Sequence, residues 1–318
     1  MVLIEDGAIV EARVKLEGVA GAGSGRQAVL KSAGVPAIAV DGTQEYLLPK
    51  GAPGMTEGQT ISIEITREAI PGPEPWKRPL ARLTESITIP LLEGEVVAFP
   101  SPSDRLGELG WLDLVEEARG AIIAFAGGKL RVSPTPAMTL IDVDGRVQAL
   151  ELAMAGAQAA ARAIRRHGIG GSIGIDLPTV AGKAERQAIA EAVDEVLPQP
   201  FERTSVNGFG FLQIVRPRRH ASLFELAADR AAFEARALLR QAAFGPPGPK
   251  RLAAHPTVIA VLERRPDWLD ALASQVGGAI SLRADPALPI SGGHAEPASS
   301  QALPIVRQAS PRPPRAVL

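Results

Sequence analysis

Apolar and polar positions alternate in short runs over residues 1–70. The pieces 8-AIVEARVKLEG-18, 27-QAVLKS-32, 35-VPAIAV-40 and 60-TISIEITRE-68 are rich in Val, Ile and Thr, and Gly and Pro separate them, as in 49-PKGAPGMTEGQ-59. β-branched residues between glycine turns predict short strands. Such strands suit a small β-barrel of the OB type, a fold that commonly binds RNA, although the pattern alone admits a sandwich equally. The run 18-GVAGAGSGR-26 lacks the Lys-Ser/Thr ending of a phosphate loop and opens no evident helix. It reads as a flexible hairpin tip.

Beyond residue 70 the period changes. Residues 71–90 are proline-rich, and 71–117 reads as linker, with a short helix at 103–118 carrying Leu106, Leu109, Leu112 and Val115. The segment 120-GAIIAFAGGKLRV-132 predicts two strands about a Gly-Gly turn, and 138-MTLIDVD-144 predicts a third. The clearest helix covers 147–167, where Leu150, Met154, Ala157, Ala161 and Ile164 recur at helical spacing. A strand at 171-GSIGIDL-177, a helix over 183–197 and a strand at 208-GFGFLQIV-215 follow. This alternation predicts an α/β core over 118–225 built on one mostly covered sheet. Residues 226–296 read as a small α/β domain whose centre is a βαβ unit between 250-KRLAAH-255 and 278-GAISLRAD-285. Residues 297–318 read as a disordered tail, since that composition buries too little surface to order itself. The fold class expected is multidomain α/β.

Composition sharpens this picture at three points. The 318 residues suggest about two domains, and the core must be aliphatic, because 46% of residues are hydrophobic but only 4% aromatic. The net charge of -1 gives no global basic field. The absence of cysteine excludes disulfides, thiolate zinc sites and cysteine nucleophiles. No apolar run approaches the about 18 residues of a membrane span, and MVLIEDGAIV lacks the features of a signal peptide. A soluble, cytoplasmic protein is expected.

The chemistry centres on 138-MTLIDVDGR-146. In a strand, Asp142 and Asp144 share one face with Leu140, while Ile141 and Val143 take the other. Asp176 lies at the end of another strand. Ligands of open α/β sheets gather beyond the carboxyl ends of strands. Two aspartates converging there suit Mg2+, which one or two carboxylates hold together with water and substrate phosphate. The alternative is structural: Asp142 and Asp144 shape a turn before Gly145, and Asp176 caps the segment after it. In 216-RPRR-219, Arg216, Arg218 and Arg219 could hold phosphate, or could be a solvated strand end. Phe209 and Phe211 read as core residues rather than base-stacking ones. His167, His220, His255 and His294 show no metal spacing, and neither HExxH nor G-x-S-x-G occurs.

Taken together, 137-AMTLIDVDGR-146, the helix, 170-GGSIGIDL-177 and 209-FGFLQIVRPR-218 resemble the catalytic core of the ribonuclease E/G family. The family pattern runs Ile-Asp-Val/Ile-Asn-Ser, a helix, Gly-Gly-Leu-Ile-x-Ile-Asp-Phe, then Phe-Gly-Leu-Leu-Glu-Met-x-Arg-x-Arg. Order and spacing agree over roughly 120–225. A fainter likeness to the family's dimerisation domain continues through 226–296, and the N-terminal barrel is similar in type to its OB-type RNA-binding domain.

The resemblance implies endonucleolytic cleavage of single-stranded RNA, leaving 5′-phosphate and 3′-hydroxyl ends, with Mg2+ held by Asp142 and Asp176. It implies no DNA partner and no membrane. There are departures. Asp144 stands where the family carries an Asn that supports the site, and Pro136 replaces an acid. The Asn-Leu-Glu-Ala-Ala stretch is reduced to 152-LAMAGA-157. The segment that senses a 5′-monophosphate is missing, and so is the zinc-linking Cys-Pro-x-Cys, which leaves a homodimer without a zinc link. A compact, diverged Mg2+-dependent endoribonuclease is the leading expectation, with Asp144 orienting the metal ligands and Arg216, Arg218 and Arg219 positioning the RNA backbone. The alternatives are an RNA-binding protein on the same scaffold with weak or lost cleavage, and a different metal-dependent phosphoesterase.

Overall fold

The computed structural model describes residues 1–42, 44–71, 77–87, 94–95 and 103–298. Most of the expected tail at 297–318, and parts of the expected linker, lie outside the described residues. The chain divides into two compact units, with a boundary between Asp229 and Arg230. Among the described residues no helix is long and apolar enough to cross a membrane.

The first unit contains a closed five-stranded barrel. Its strands are β3 (Gly25–Ser32), β4 (Ala37–Asp41), β5 (Gln44–Leu48), β6 (Thr60–Arg67) and β7 (Leu80–Leu83), in the order β3-β4-β5-β7-β6. Alternating Leu30, Ala37, Ala39, Tyr46, Leu48, Ile61, Ile63 and Ile65 point inward and fill it. Two expectations change here. β7 lies inside the segment expected to be linker, where prolines obscure a four-residue strand that closes the barrel between β5 and β6.

The first strands do not belong to the barrel. β1 (Val2–Glu5) and β2 (Ala8–Ala12) form a separate antiparallel hairpin. The glycine run at 18–26 is therefore a connector between two sheets and not a hairpin tip. It is tied down, since Gly23 N–H donates to Ile65 O at 2.7 Å and Ala22 N–H to Glu68 Oε1 at 3.1 Å.

The rest of this unit is built on a six-stranded sheet. Its strands are β8 (Ile122–Phe125), β9 (Gly128–Pro134), β10 (Thr139–Gly145), β11 (Gly171–Asp176), β12 (Glu202–Arg203) and β13 (Phe211–Arg216), in the order β12-β13-β11-β10-β9-β8. β10 and β11 run parallel, and the other neighbours are antiparallel. The parallel pair requires a crossover, supplied by helix α3 (Ala149–Arg166). Helix α4 (Lys183–Asp194) packs beside it. One sheet face, carrying Ile123, Leu130, Val132, Ile141, Val143, Ile173, Ile175, Leu212 and Ile214, is buried in the main core with α3 and α4.

The opposite face is open, which differs from the mostly covered sheet expected. Leu140, Val215 and Ile122 on it are exposed. The segment 103–118, expected to be one helix, is broken into α1 (Arg105–Glu108) and α2 (Trp111–Gly120) by Gly110, whose φ is +94°. The break resets the phase, so Leu114 and Ala118 are buried and Leu112 is exposed. A short helix, α5 (Leu223–Ala228), ends the unit.

In the second unit, α6 (Arg230–Ala243) precedes β14 (Lys250–Ala254), α7 (Pro256–Glu263), α8 (Pro266–Val276), β15 (Ile280–Ala284) and β16 (His294–Pro297). β14 and β15 are parallel, as a βαβ unit requires, and β16 adds an antiparallel edge.

The crossover sits close to the sheet because α3 presents small residues. Ala153, Gly156, Ala157, Ala160 and Ala161 are buried against it. A Cβ at Gly156 would overlap Val143 Cγ1. Gly156→Ala is therefore expected to destabilise the protein by about 1–3 kcal/mol, the range for overpacking, despite alanine's higher helix propensity. Adding Val143→Ala should recover part of that loss in a denaturant melt.

Candidate functional site

The register of the parallel pair sets the geometry. Asp142 and Asp176 are direct partners across β10 and β11, and Leu140 is the partner of Gly174. Neighbouring strands lie about 4.8 Å apart, so the two carboxylates leave the same face side by side. Asp144 lies two residues further along β10 on that face and is exposed. The structure thus brings all three predicted acids together, at the carboxyl ends of two parallel strands. Gly174 keeps the floor low. A Cβ there would overlap the ring of Phe211 and come within 3.0 Å of Leu140 Cδ2.

Two bases face the acids from β9. Arg131 is the cross-strand partner of Asp142, and Lys129 is the partner of Asp144, with Nζ 4.0 Å from Oδ2. Neither base was expected from the sequence. The signal was present in 128-GKLRV-132, where hairpin alternation puts Lys129 and Arg131 on one face, but it needs the register to be read. Burial pushes the Asp142 carboxyl above its ordinary value, and repulsion from Asp144 and Asp176 pushes the same way, while Arg131 and Lys129 oppose it.

Among the described residues no three His, Cys, Asp or Glu side chains form a group able to hold a metal ion on their own. Two carboxylates suffice for Mg2+, which retains water and substrate oxygens as its other ligands. The donor set formed by Asp142 and Asp176 fits such an ion. Both are hard oxygen donors on one open face.

The arginine cluster is not a single phosphate-binding surface. Arg216 is turned inward, and its Nη1 donates to Ile169 O at 3.2 Å. Arg218 is ion-paired with Glu225, which also accepts from Ser222 N–H at 2.9 Å and caps α5. Arg219 remains exposed at its side chain, and its carbonyl accepts from Glu68 N–H at 2.8 Å. On the barrel, Lys31 and Arg78 both pair with Glu45, and Arg82 pairs with Glu64.

The two phenylalanines also differ from expectation, since neither belongs to the core. Phe211 lies on the open face beside Asp176, and Phe209 is 85% exposed at the tip of the preceding loop.

No protein-family model matches the chain, and no curated protein matches it. The residues themselves therefore carry the functional argument. Of the histidines, His167 is fully buried, with Nε2 2.8 Å from Glu117 Oε2 and its ring centroid 4.6 Å from that of Phe224.

Two outcomes follow from this geometry. Because the folded protein holds a proton on Asp142 more tightly than the unfolded chain does, the stability tied to that proton is present in acid. It is lost as pH rises through the raised value. Asp142→Asn should therefore raise the melting temperature at neutral pH, with the gain fading as pH falls into the carboxylate range. Separately, Arg218→Ala removes one ion-pair partner of Glu225, which keeps its bonds from Ser222. It should cost about 1 kcal/mol in a urea melt, the net scale of one hydrogen bond.

Proposed function

We propose that this protein is a Mg2+-dependent endoribonuclease acting on single-stranded RNA, of the ribonuclease E/G type. The observation that carries the reading is the direct pairing of Asp142 with Asp176 on an open sheet face, at the carboxyl ends of parallel strands. Asp142 and Asp176 would hold the ion. When bound, Mg2+ supplies charge stabilisation at a phosphodiester and lowers the pKa of a coordinated water. Asp144 orients the carboxylate beside it. Lys129 and Arg131 hold the backbone of the strand against the acids. The open face admits an extended chain, which a covered sheet would exclude. The five-stranded barrel, taken as an OB-type fold, holds the strand further along. Arg219, exposed beyond the Gly171 end of β11 and so at the far end of that strand from Asp176, would meet a phosphate further along the RNA and not the one at the acids.

A second reading has its own observation. Lys129 and Arg131 already face Asp144 and Asp142. Bases that balance the acids lower the site's appetite for a dication, which favours an RNA-binding protein with weak or lost cleavage. Incubation of the full chain with 5′-labelled single-stranded RNA separates the two. The nuclease reading expects Mg2+-dependent products with 5′-phosphate ends, and a loss of at least about 100-fold in Asp142→Asn and Asp176→Asn, the scale of removing one major charge-stabilising group. Equal cleavage in wild type and both variants would sink it. Salt-sensitive binding without products would leave the second reading standing.

A further inference from the structure

The loop before β13 presents an aromatic ring that the fold does not use. Phe209 is 85% exposed, yet its backbone is held on several sides. Asn207 Oδ1 accepts from Phe209 N–H at 2.9 Å and from Phe211 N–H at 3.0 Å. Thr179 Oγ1 donates to Phe209 O at 3.2 Å, and Leu177 N–H donates to Gly210 O at 3.1 Å. Gly210 has φ of +89°, and a Cβ there would overlap the carbonyl of Leu177. The tip is thus fastened to the residue that comes after Asp176. A ring on a loose loop is ordinary; an exposed ring on a fastened backbone, two residues before the cross-strand partner of Asp176, is placed for a partner.

We infer that Phe209 is a stacking platform for a base of the RNA strand whose phosphate lies at Asp142 and Asp176. The inference rests on the RNA reading proposed above. The chemistry around the ring favours a base over a protein or a lipid. The tip is held by Asn207 and Thr179, both polar, and by the backbone of Leu177, and Phe209 is its one exposed large hydrophobic side chain. A π-face next to acids and bases that together suit a phosphodiester meets the two parts of one nucleotide. Phe211, lying over Gly174 beside Leu140, supplies an apolar floor next to it. Stacking of this kind is sequence-tolerant, since every base has a π-face.

The test uses the full chain and single-stranded RNA carrying 2-aminopurine at successive positions, with Ca2+ in place of Mg2+ so that a dication still joins the acids to the phosphate, and binding is read before products accumulate. Phe209→Ala should weaken binding about tenfold and abolish quenching at one position, within the range for loss of one stacked base. Phe209→Trp should restore both, and Phe209→Leu, apolar but without a ring face, should not. Melting temperatures should be unchanged, because the side chain is in water. Equal affinity and quenching in wild type and Phe209→Ala would overturn the stacking role, as would rescue by Leu. If Phe209→Ala instead loses binding to anionic lipid vesicles and keeps RNA binding, the occupant is a membrane and the inference fails. The nuclease reading is judged apart, by Mg2+-dependent cleavage in wild type against Asp142→Asn. Wild type that neither binds nor cleaves RNA removes both.

Discussion

Parallel pairing of β10 with β11 is the constraint from which the site follows. Parallel neighbours cannot be joined by a tight turn, so the chain must leave the sheet, cross one face as α3 and return. That helix covers one face and leaves the other to solvent. It also fixes where β11 re-enters, and therefore which residue stands opposite Asp142. The row of Ala and Gly on α3 lets the helix approach closely, so the register rests on packing against Val143 and not on the acids themselves. Unpaired, the acids would prefer to separate. The apolar core beneath holds together what electrostatics above would push apart.

Much of this was legible in the sequence, and for a physical reason. Alternation in MTLIDVD and GSIGID places acids and aliphatics on opposite faces whatever the fold around them, and the helix between them has a strong period. What was not legible depends on partners far along the chain. Lys129 and Arg131 join the site only through the β9 register. Arg218 looks like a free base until α5 brings Glu225 to it. The burial of Phe residues is a sound average, but Phe209 sits on a turn governed by Asn207 and Gly210, where local hydrogen bonds decide the direction. The single helix expected at 103–118 failed because one glycine changed the phase. The hairpin at the N-terminus was missed because strand composition does not say which sheet a strand joins.

Asp144 takes on a different meaning beside Lys129. On the proposed ribonuclease E/G-type reading this position would carry an amide, and a carboxylate alone would add repulsion to an already crowded group. Here a base stands across the strand from it. The extra acid and the facing base keep the local charge close to what an amide would give, while a second pair, Asp142 and Arg131, repeats the arrangement. A site organised in opposed pairs responds less steeply to ionic strength than a bare acidic cluster, because the fields of its members cancel over a short distance.

The short strand β7 carries a consequence for how the molecule can be divided. It completes the barrel by joining β5 on one side and β6 on the other, although it comes after them across a proline-rich stretch. A fragment ending near residue 70 would look like a whole domain by sequence. It would in fact leave two strands with unsatisfied backbone edges, and such edges recruit one another. The smallest piece of this barrel able to stay monomeric in solution must therefore reach past Leu83.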